Sequence, residues 1–278
     1  MRRILFYFRL WLSSVAGRLR RVFVGKNVFA VVYRTDNGVL AADPEDMGVG
    51  SELRETGAYA QDELARIFQY ADETTDVLVV GAHLGALVVP IARKCRRVVA
   101  IEANPHTYSL LKTNLPLNEL PDVRAYNIAA SDKTEMLEFV ASRNNSGGTK
   151  RMPKIRAFEY FYDKPAAFSV QAHSLDAYLK DETFSLVFMD IEGSEYFALK
   201  GMQRILQGAR TLFVEFLPHH LRNVSGVSPS EFLAPVQAHF NRLLIPSKGR
   251  EVDKADFLPV LQSMFDRDEG DDGLIFIK

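Results

Sequence analysis

Apolar residues in this chain cluster as short runs divided by segments of mixed polarity. Asp76-Val-Leu-Val-Val-Gly-Ala-His-Leu-Gly85 and Arg97-Val-Val-Ala-Ile-Glu102-Ala-Asn-Pro105 each begin with such a run. Both runs are too short for a helix and rich in β-branched residues, the pattern of a buried strand. Comparable runs predict strands at 123–128, 136–140, 184–189 and 211–216, with two more near 240–245 and 273–277. The intervening segments predict helices over 86–94 (interrupted early by Pro90), 105–114, 176–180, 195–207 and 254–265. Upstream, 28–34 and 39–42 read as a hairpin around Thr35-Asp-Asn-Gly38, followed by a helix over 60–70. Residues 141–170 read as one long loop, with Asn144-Asn-Ser-Gly-Gly148 and a basic run from Lys150 to Arg156. A loop of that length inside a domain is usually functional or disordered. Strand and helix alternate through the middle of the chain, which predicts an α/β fold with a mostly parallel sheet and helices on both faces.

The chain has 278 residues, enough for one large α/β domain with an extension. We place the extension at 1–60 and the domain at 61–278. Net charge is −1, but it is unevenly distributed. Residues 1–35 hold eight bases and no acid, and the remainder holds 26 bases against 35 acids. An acidic body argues against a general nucleic-acid binder. The single cysteine, Cys95, has no partner within the chain, which fits a reducing, cytoplasmic setting. Residues 1–24 interleave arginines with apolar residues from Ile4 to Leu19. The segment is too charged to span a bilayer, and Arg9 interrupts the core that a signal peptide would need. We expect a helix that packs its apolar face on the domain or on a second subunit. The alternative is a basic amphipathic helix lying on an anionic membrane surface, at the inner face.

The candidate chemistry sits where strands end. The 77–80 run empties into Gly81 and Gly85, and the 98–101 run ends in Glu102. Gly81 and Glu102 are 21 positions apart, close to the roughly twenty expected between a glycine turn and a ribose-binding acid in a nucleotide-binding βαβ unit. The second glycine of the dinucleotide fingerprint, which admits a diphosphate, is here His83. A cofactor with adenosine but no diphosphate fits better, and S-adenosylmethionine is the candidate. The 184–189 run ends in Asp190-Ile-Glu192-Gly193-Ser-Glu195, placing Asp190 and Glu192 at the same rim. Glu195 falls in the first turn of the next helix, where a carboxylate suits the helix dipole. After the 211–216 run come Pro218-His219-His220; either histidine could serve as a general base, and His219 is the one assigned. With Asp190 and Glu192 the histidines could hold a divalent cation, but no metal is assigned, and no His-x-x-x-His or Cys-x-x-Cys spacing occurs.

These motifs together resemble the FkbM family of S-adenosylmethionine-dependent methyltransferases. Met189-Asp-Ile-Glu-Gly-Ser-Glu195 with Ala198-Leu-Lys-Gly201 is the strongest match. Val80-Gly-Ala-His-Leu-Gly85 and Glu102-Ala-Asn-Pro105 are similar to two further family motifs, and Asn127-Ile-Ala-Ala-Ser-Asp132, Ser174-Leu-Asp176 and Gly57-Ala-Tyr59 to weaker ones. The resemblance covers about residues 50–220. It implies a Rossmann-like class I methyltransferase sheet of seven strands, the last antiparallel. It implies that Gly81, Ala82, His83 and Gly85 pass the cofactor's methionine portion and that Glu102, with Ala103, holds the ribose. It further implies that Ala129 and Asp132 border the adenine, that Asp190 lies beside the amino acid or methyl, and that Glu192 faces the acceptor or fixes the loop. Three positions depart from the family: Val79 stands where Asp is usual, His83 where Asn is common, and Phe188 where Lys is common. The expected activity is O-methylation of a sugar, glycolipid or small secondary metabolite, with a homo-oligomer as an open expectation. Two other readings are a nicotinamide-dependent oxidoreductase and a non-catalytic module tethered to membrane or partner by its N-terminus.

Overall fold

The computed structural model describes residues 2–278, with side chains from Tyr7 onward; Met1 and the side chains of residues 2–6, including Arg2, Arg3 and Ile4, lie outside the described residues. Its strands are β1 (Val31–Thr35), β2 (Gly38–Ala42), β3 (Asp76–Val80), β4 (Arg97–Ile101), β5 (Arg124–Tyr126), β6 (Ala129–Ala130), β7 (Glu135–Ala141), β8 (Lys150–Arg151), β9 (Ala166–His173), β10 (Leu186–Met189), β11 (Thr211–Phe216), β12 (Arg242–Ile245), β13 (Arg250–Asp253) and β14 (Asp271–Ile277).

The main sheet runs β13-β12-β14-β11-β10-β3-β4-β5. From β3 the chain builds outward through β4 and β5, then returns to the other side of β3 with β10 and β11, all in parallel pairs. The strand order therefore reverses between β3 and β10, and ligands of open α/β sheets bind beyond the carboxyl ends of the strands at such a point. β14 is antiparallel to both β11 and β12. The sheet has eight strands, one more than expected. The addition is β13, whose Arg-Glu-Val-Asp sequence buries only Val252 and reads as the approach to a helix. Such charge suits an edge strand, where it blocks pairing with another chain.

Alternate residues of the central strands serve opposite faces. Leu78, Val80, Val187, Met189, Leu212 and Val214 pack on one side with Leu199, Ile205 and Leu206 from the helices at Glu195–Lys200 and Gln203–Gly208. Val77, Val79, Leu186, Phe188 and Phe213 pack on the other with Leu64, Ile91 and Leu111. Helices thus cover both faces. The single helix expected over 195–207 is broken into these two at Gly201 and Met202. A Cβ at Gly201 would lie 1.9 Å from the Ser131 carbonyl oxygen, so the chain touches another segment there and only glycine fits.

The segment 141–170 is not one open loop. It holds β8, two short 3-10 turns and the start of β9, which with β6 and β7 forms a second sheet in the order β6-β9-β7-β8. The hairpin β1–β2 is tied down by three buried asparagines. Asn37 donates to the Tyr59 and Ala86 carbonyls, while Asn114 and Asn118 bond the β2 backbone at Ala41 and Val39. The helix Arg2–Val24 lies against this region through its small and polar side. Ser14 and Gly17 are buried, Arg21 pairs with Asp43 at 2.6 Å, and Arg20 donates to the Tyr33 hydroxyl. This corrects the expectation that the apolar face packs on the domain. No described helix is long and apolar enough to cross a membrane.

Candidate functional site

The reversal point between β3 and β10 opens into a cleft of about 720 Å³ of empty space, open solvent at its mouth included. Gly81, Ala82, His83, Glu102, Ala103, Asp190 and Glu192 all line it. Tyr59, Phe139, Ser146, Thr149 and Phe188 complete its walls. Three carboxylates face the cleft, and among the described residues no lysine or arginine lines it.

Gly81 holds the cleft together at its floor. It has φ +91°, and a Cβ there would lie 1.8 Å from the Asp190 carbonyl oxygen. The two strand ends therefore approach as closely as backbone allows, and the glycine serves that contact. Glu102 closes the next strand end. Its Oε2 accepts from the His83 backbone N–H at 2.7 Å; its Oε1 accepts from the Asn104 N–H and the Thr107 hydroxyl, both at 2.8 Å. A carboxylate has about four lone-pair directions. Three are filled, which fixes the side chain and leaves one acceptor position on Oε2.

His83 adopts φ +52°, which few non-glycine residues do. Its Nε2 lies 2.7 Å from the Ser146 hydroxyl, which itself bonds Asp46. Asp46 also accepts from the N–H groups of Gly48, Gly50 and Ser146. An ionised Asp46 can only accept, so the one hydroxyl proton of Ser146 goes to it and His83 Nε2 must carry a hydrogen. Burial lowers the His83 pKa, in keeping with a neutral ring. The ring thus pins the 146–149 segment to the turn that follows β3.

Beyond Glu192 lies a second cleft of about 1270 Å³, lined among others by Leu10, Lys150, Tyr160, Tyr162, His219 and His220. Glu192 belongs to both clefts. It has φ +55°, followed by Gly193 at +96°; a Cβ on Gly193 would press on Val224 and His220. Lys150 Nζ donates to Glu192 Oε2 at 2.7 Å, and His220 Nε2 is 3.3 Å from the same oxygen. The other ring nitrogen of His220 lies 3.5 Å from Glu215 Oε2, and both of these buried atoms are without a hydrogen bond. Burial, then Lys150, pushes the His220 pKa down to about 2, so its ring is neutral. Burial, then Glu192 and Glu195, raises the Asp190 carboxyl far above the usual carboxylate range; burial, then Asp190, does the same to Glu215. Carboxylate oxygens of Asp190, Glu192 and Glu215 lie within 4.8 Å of one another, a donor set that could hold a cation. The Lys150 ammonium already supplies one positive charge beside it.

Four residues named from the sequence stand apart from the first cleft. Gly85 has φ +96° and faces Leu111, 2.8 Å from where a Cβ would sit. Ala129 is buried in the second sheet with Leu137 and Phe139. Asp132 pairs with Lys200 at 3.0 Å. His219 lines the second cleft. Sequence reasoning missed Lys150, Ser146 and Thr149 as site residues, because they lie in the segment read as loop.

A model of the methyltransferase FkbM domain matches residues 80–251, well over half of the chain. No curated protein sequence matches. Similar solved structures include a methyltransferase FkbM from Methylobacillus flagellatus KT (16% identity, 74% of this chain and 44% of that one, TM-score 0.43). Others are TYW2 of M. jannaschii in complex with AdoMet (14%, 68% and 62%, TM-score 0.38) and a putative O-methyltransferase from Klebsiella pneumoniae (13%, 79% and 80%, TM-score 0.40). The chain spans less than half the length of the Methylobacillus protein.

Proposed function

The chain belongs to the FkbM methyltransferase family, and from that premise we propose that it moves a methyl group from S-adenosylmethionine to a hydroxyl of a sugar, glycolipid or small metabolite. The nicotinamide-dependent alternative is set aside with that membership. The observation that carries the reading is Glu192, one carboxylate shared by two adjoining clefts.

The first cleft suits this donor chemically. The open position on Glu102 Oε2 can accept from a ribose hydroxyl. Glu192 offers a carboxylate toward a cationic sulfonium and ammonium, and Asp190, whose proton burial retains, offers a hydrogen-bond donor to the same cleft. The lack of a basic lining disfavours a diphosphate. Bound there, the cofactor would supply an electrophilic methyl group. The chain's own part is to hold an acceptor oxygen in line from the second cleft, since alignment supplies much of the rate of a displacement. A hydroxyl must lose its proton as it attacks, and Glu192 at the seam is placed to receive it. Lys150 fixes that carboxylate with a hydrogen bond at 2.7 Å and His220 braces it from behind. His219, half-buried and held neutral by burial, is available to relay the proton outward.

Calorimetric titration of the full chain tests the reading. S-adenosylmethionine and its demethylated product should each bind one site with a Kd on the order of micromolar. Absence of binding by both would sink the proposal.

A further inference from the structure

The helix Arg2–Val24 is amphipathic in the inverse sense. Its small and polar residues face the protein, and its large apolar residues face outward. Phe8, Trp11, Leu12, Leu19, Val22 and Phe23 are all exposed, Trp11 by 55% and Phe23 by 86%. At about 100° per residue these six fall within one arc of about 120°. Arg9 and Arg18, both exposed, border the arc on its two sides. The docked side lies opposite, with Gly17 against Glu45 and Arg21 on Asp43. The apolar surface continues past the helix. Tyr7 packs on Phe158 with ring centroids 4.6 Å apart and the rings tilted by 59°, and Phe158 and Ile155 are themselves exposed. Glu159 and Tyr160, next in the chain, line the second cleft together with Leu10 of the helix.

We propose that this face docks on an anionic lipid bilayer and that the second cleft takes the polar headgroup of a lipid-borne acceptor. A contiguous apolar patch on a protein surface marks an interaction site. Its charge selects the occupant. Residues 1–35 carry eight bases and no acid, so contact between two copies of the helix across a two-fold axis would set arginine against arginine. An anionic leaflet instead matches an apolar arc flanked by arginines, whose long stems let the charges reach the headgroups. The exposed apolar surface continues through Phe158 to its neighbour Glu159, which lines the second cleft, so docking through this face sets that cleft beside the bilayer. The acceptor half of this inference rests on the methyltransferase reading; the docking half does not.

Flotation of the full chain with vesicles tests it. The protein should float with phosphatidylcholine vesicles holding about one third phosphatidylglycerol, far less with pure phosphatidylcholine, and less as salt rises. Trp11→Glu with Phe23→Glu should cut the vesicle-bound fraction about tenfold or more, and Arg9→Glu with Arg18→Glu should abolish the preference for anionic lipid. Both pairs are exposed, so unfolding midpoint and cofactor titration should not move. A chain that stays down with anionic vesicles overturns the proposal, as does equal flotation of the Trp11→Glu, Phe23→Glu variant. A concentration-dependent dimer in sedimentation that this variant abolishes overturns it in favour of a second copy. Flotation without cofactor binding removes the acceptor assignment and leaves the docking face.

Discussion

Val79 of β3 and Phe188 of β10 are register partners on adjacent parallel strands. Both side chains are buried in the same apolar layer, with Phe213 beside Phe188. These are two of the three positions at which the chain departs from its family, where Asp and Lys are usual. The two departures are therefore neighbours: the Asp and Lys that the resemblance leads one to expect would face each other across two strands, where this chain has an apolar pair. A buried ion pair exchanged for well-packed apolar side chains commonly leaves stability equal or better, whereas removal of one partner strands a charge. Phe188 also lines the first cleft and makes that part of its wall apolar.

Charge should be tolerated at these two positions only as a pair. Val79→Asp or Phe188→Lys alone should cost about 3–5 kcal/mol in urea unfolding, each leaving a buried charge unpaired. The double variant should recover most of that loss. Additive costs in the double-mutant cycle would show that the two side chains do not act as a pair.

Gly81→Ala should damage fold and site together. The added Cβ would meet the Asp190 carbonyl oxygen at 1.8 Å, in a backbone conformation that alanine disfavours. β3 and β10 would have to part at the rim of the cleft. We expect a loss of about 3 kcal/mol or more in unfolding and no measurable cofactor binding by calorimetry. Native-like cofactor affinity in this variant would show that the close approach is not required.

Glu102→Gln tests the ribose contact. Three donors already point at this carboxylate, so one must confront the amide nitrogen. A hydrogen bond to a charged group contributes about 1.5–3 kcal/mol. The Kd for S-adenosylmethionine should rise at least about tenfold, with an unfolding loss of about 1–3 kcal/mol. An unchanged Kd would remove Glu102 from the cofactor contact.

Legibility in the sequence followed periodicity. β3, β4 and β11 are buried along their whole length or nearly so, and β-branched runs announce that. β9 is Ala-Ala-Phe-Ser-Val-Gln-Ala-His, mostly exposed at its start, so no apolar run marks it. Its partner β7 was readable because Leu137, Phe139 and Val140 stand out, and pairing across 25 or more residues is what creates β9. The rim residues Gly81, Glu102, Asp190 and Glu192 were visible because each ends a strand. Lys150 was not, since only the fold brings it 42 positions across to Glu192. Asn37, Asn114 and Asn118 look like turn and surface residues by type; their burial follows from bonding backbone that the hairpin leaves open.

Glu195 gives a pH signature with a definite sign. It is 2% exposed, and its Oε1 accepts from the Ile191 and Gly193 N–H groups, closing the turn that carries Glu192. Burial raises its pKa from the ordinary 4.5 to about 7 against the pull of those N–H groups. Below pH 4.5 both folded and unfolded chains hold the proton, and the group contributes no pH dependence. Between 4.5 and about 7 the unfolded chain has lost the proton and the folded chain keeps it, so stability falls as pH rises. Above 7 the penalty is constant. Glu195→Gln keeps an acceptor for both N–H groups and cannot ionise. The parent should therefore lose stability relative to Glu195→Gln by up to about 3 kcal/mol between pH 4.5 and 8. His220 has the opposite slope, since its lowered pKa makes stability rise with pH up to about 6.5. Both proteins carry that histidine, so its contribution cancels in the difference. Unfolding curves taken across the range check this, and parallel pH profiles for the two proteins would mean that Glu195 is already ionised in the fold.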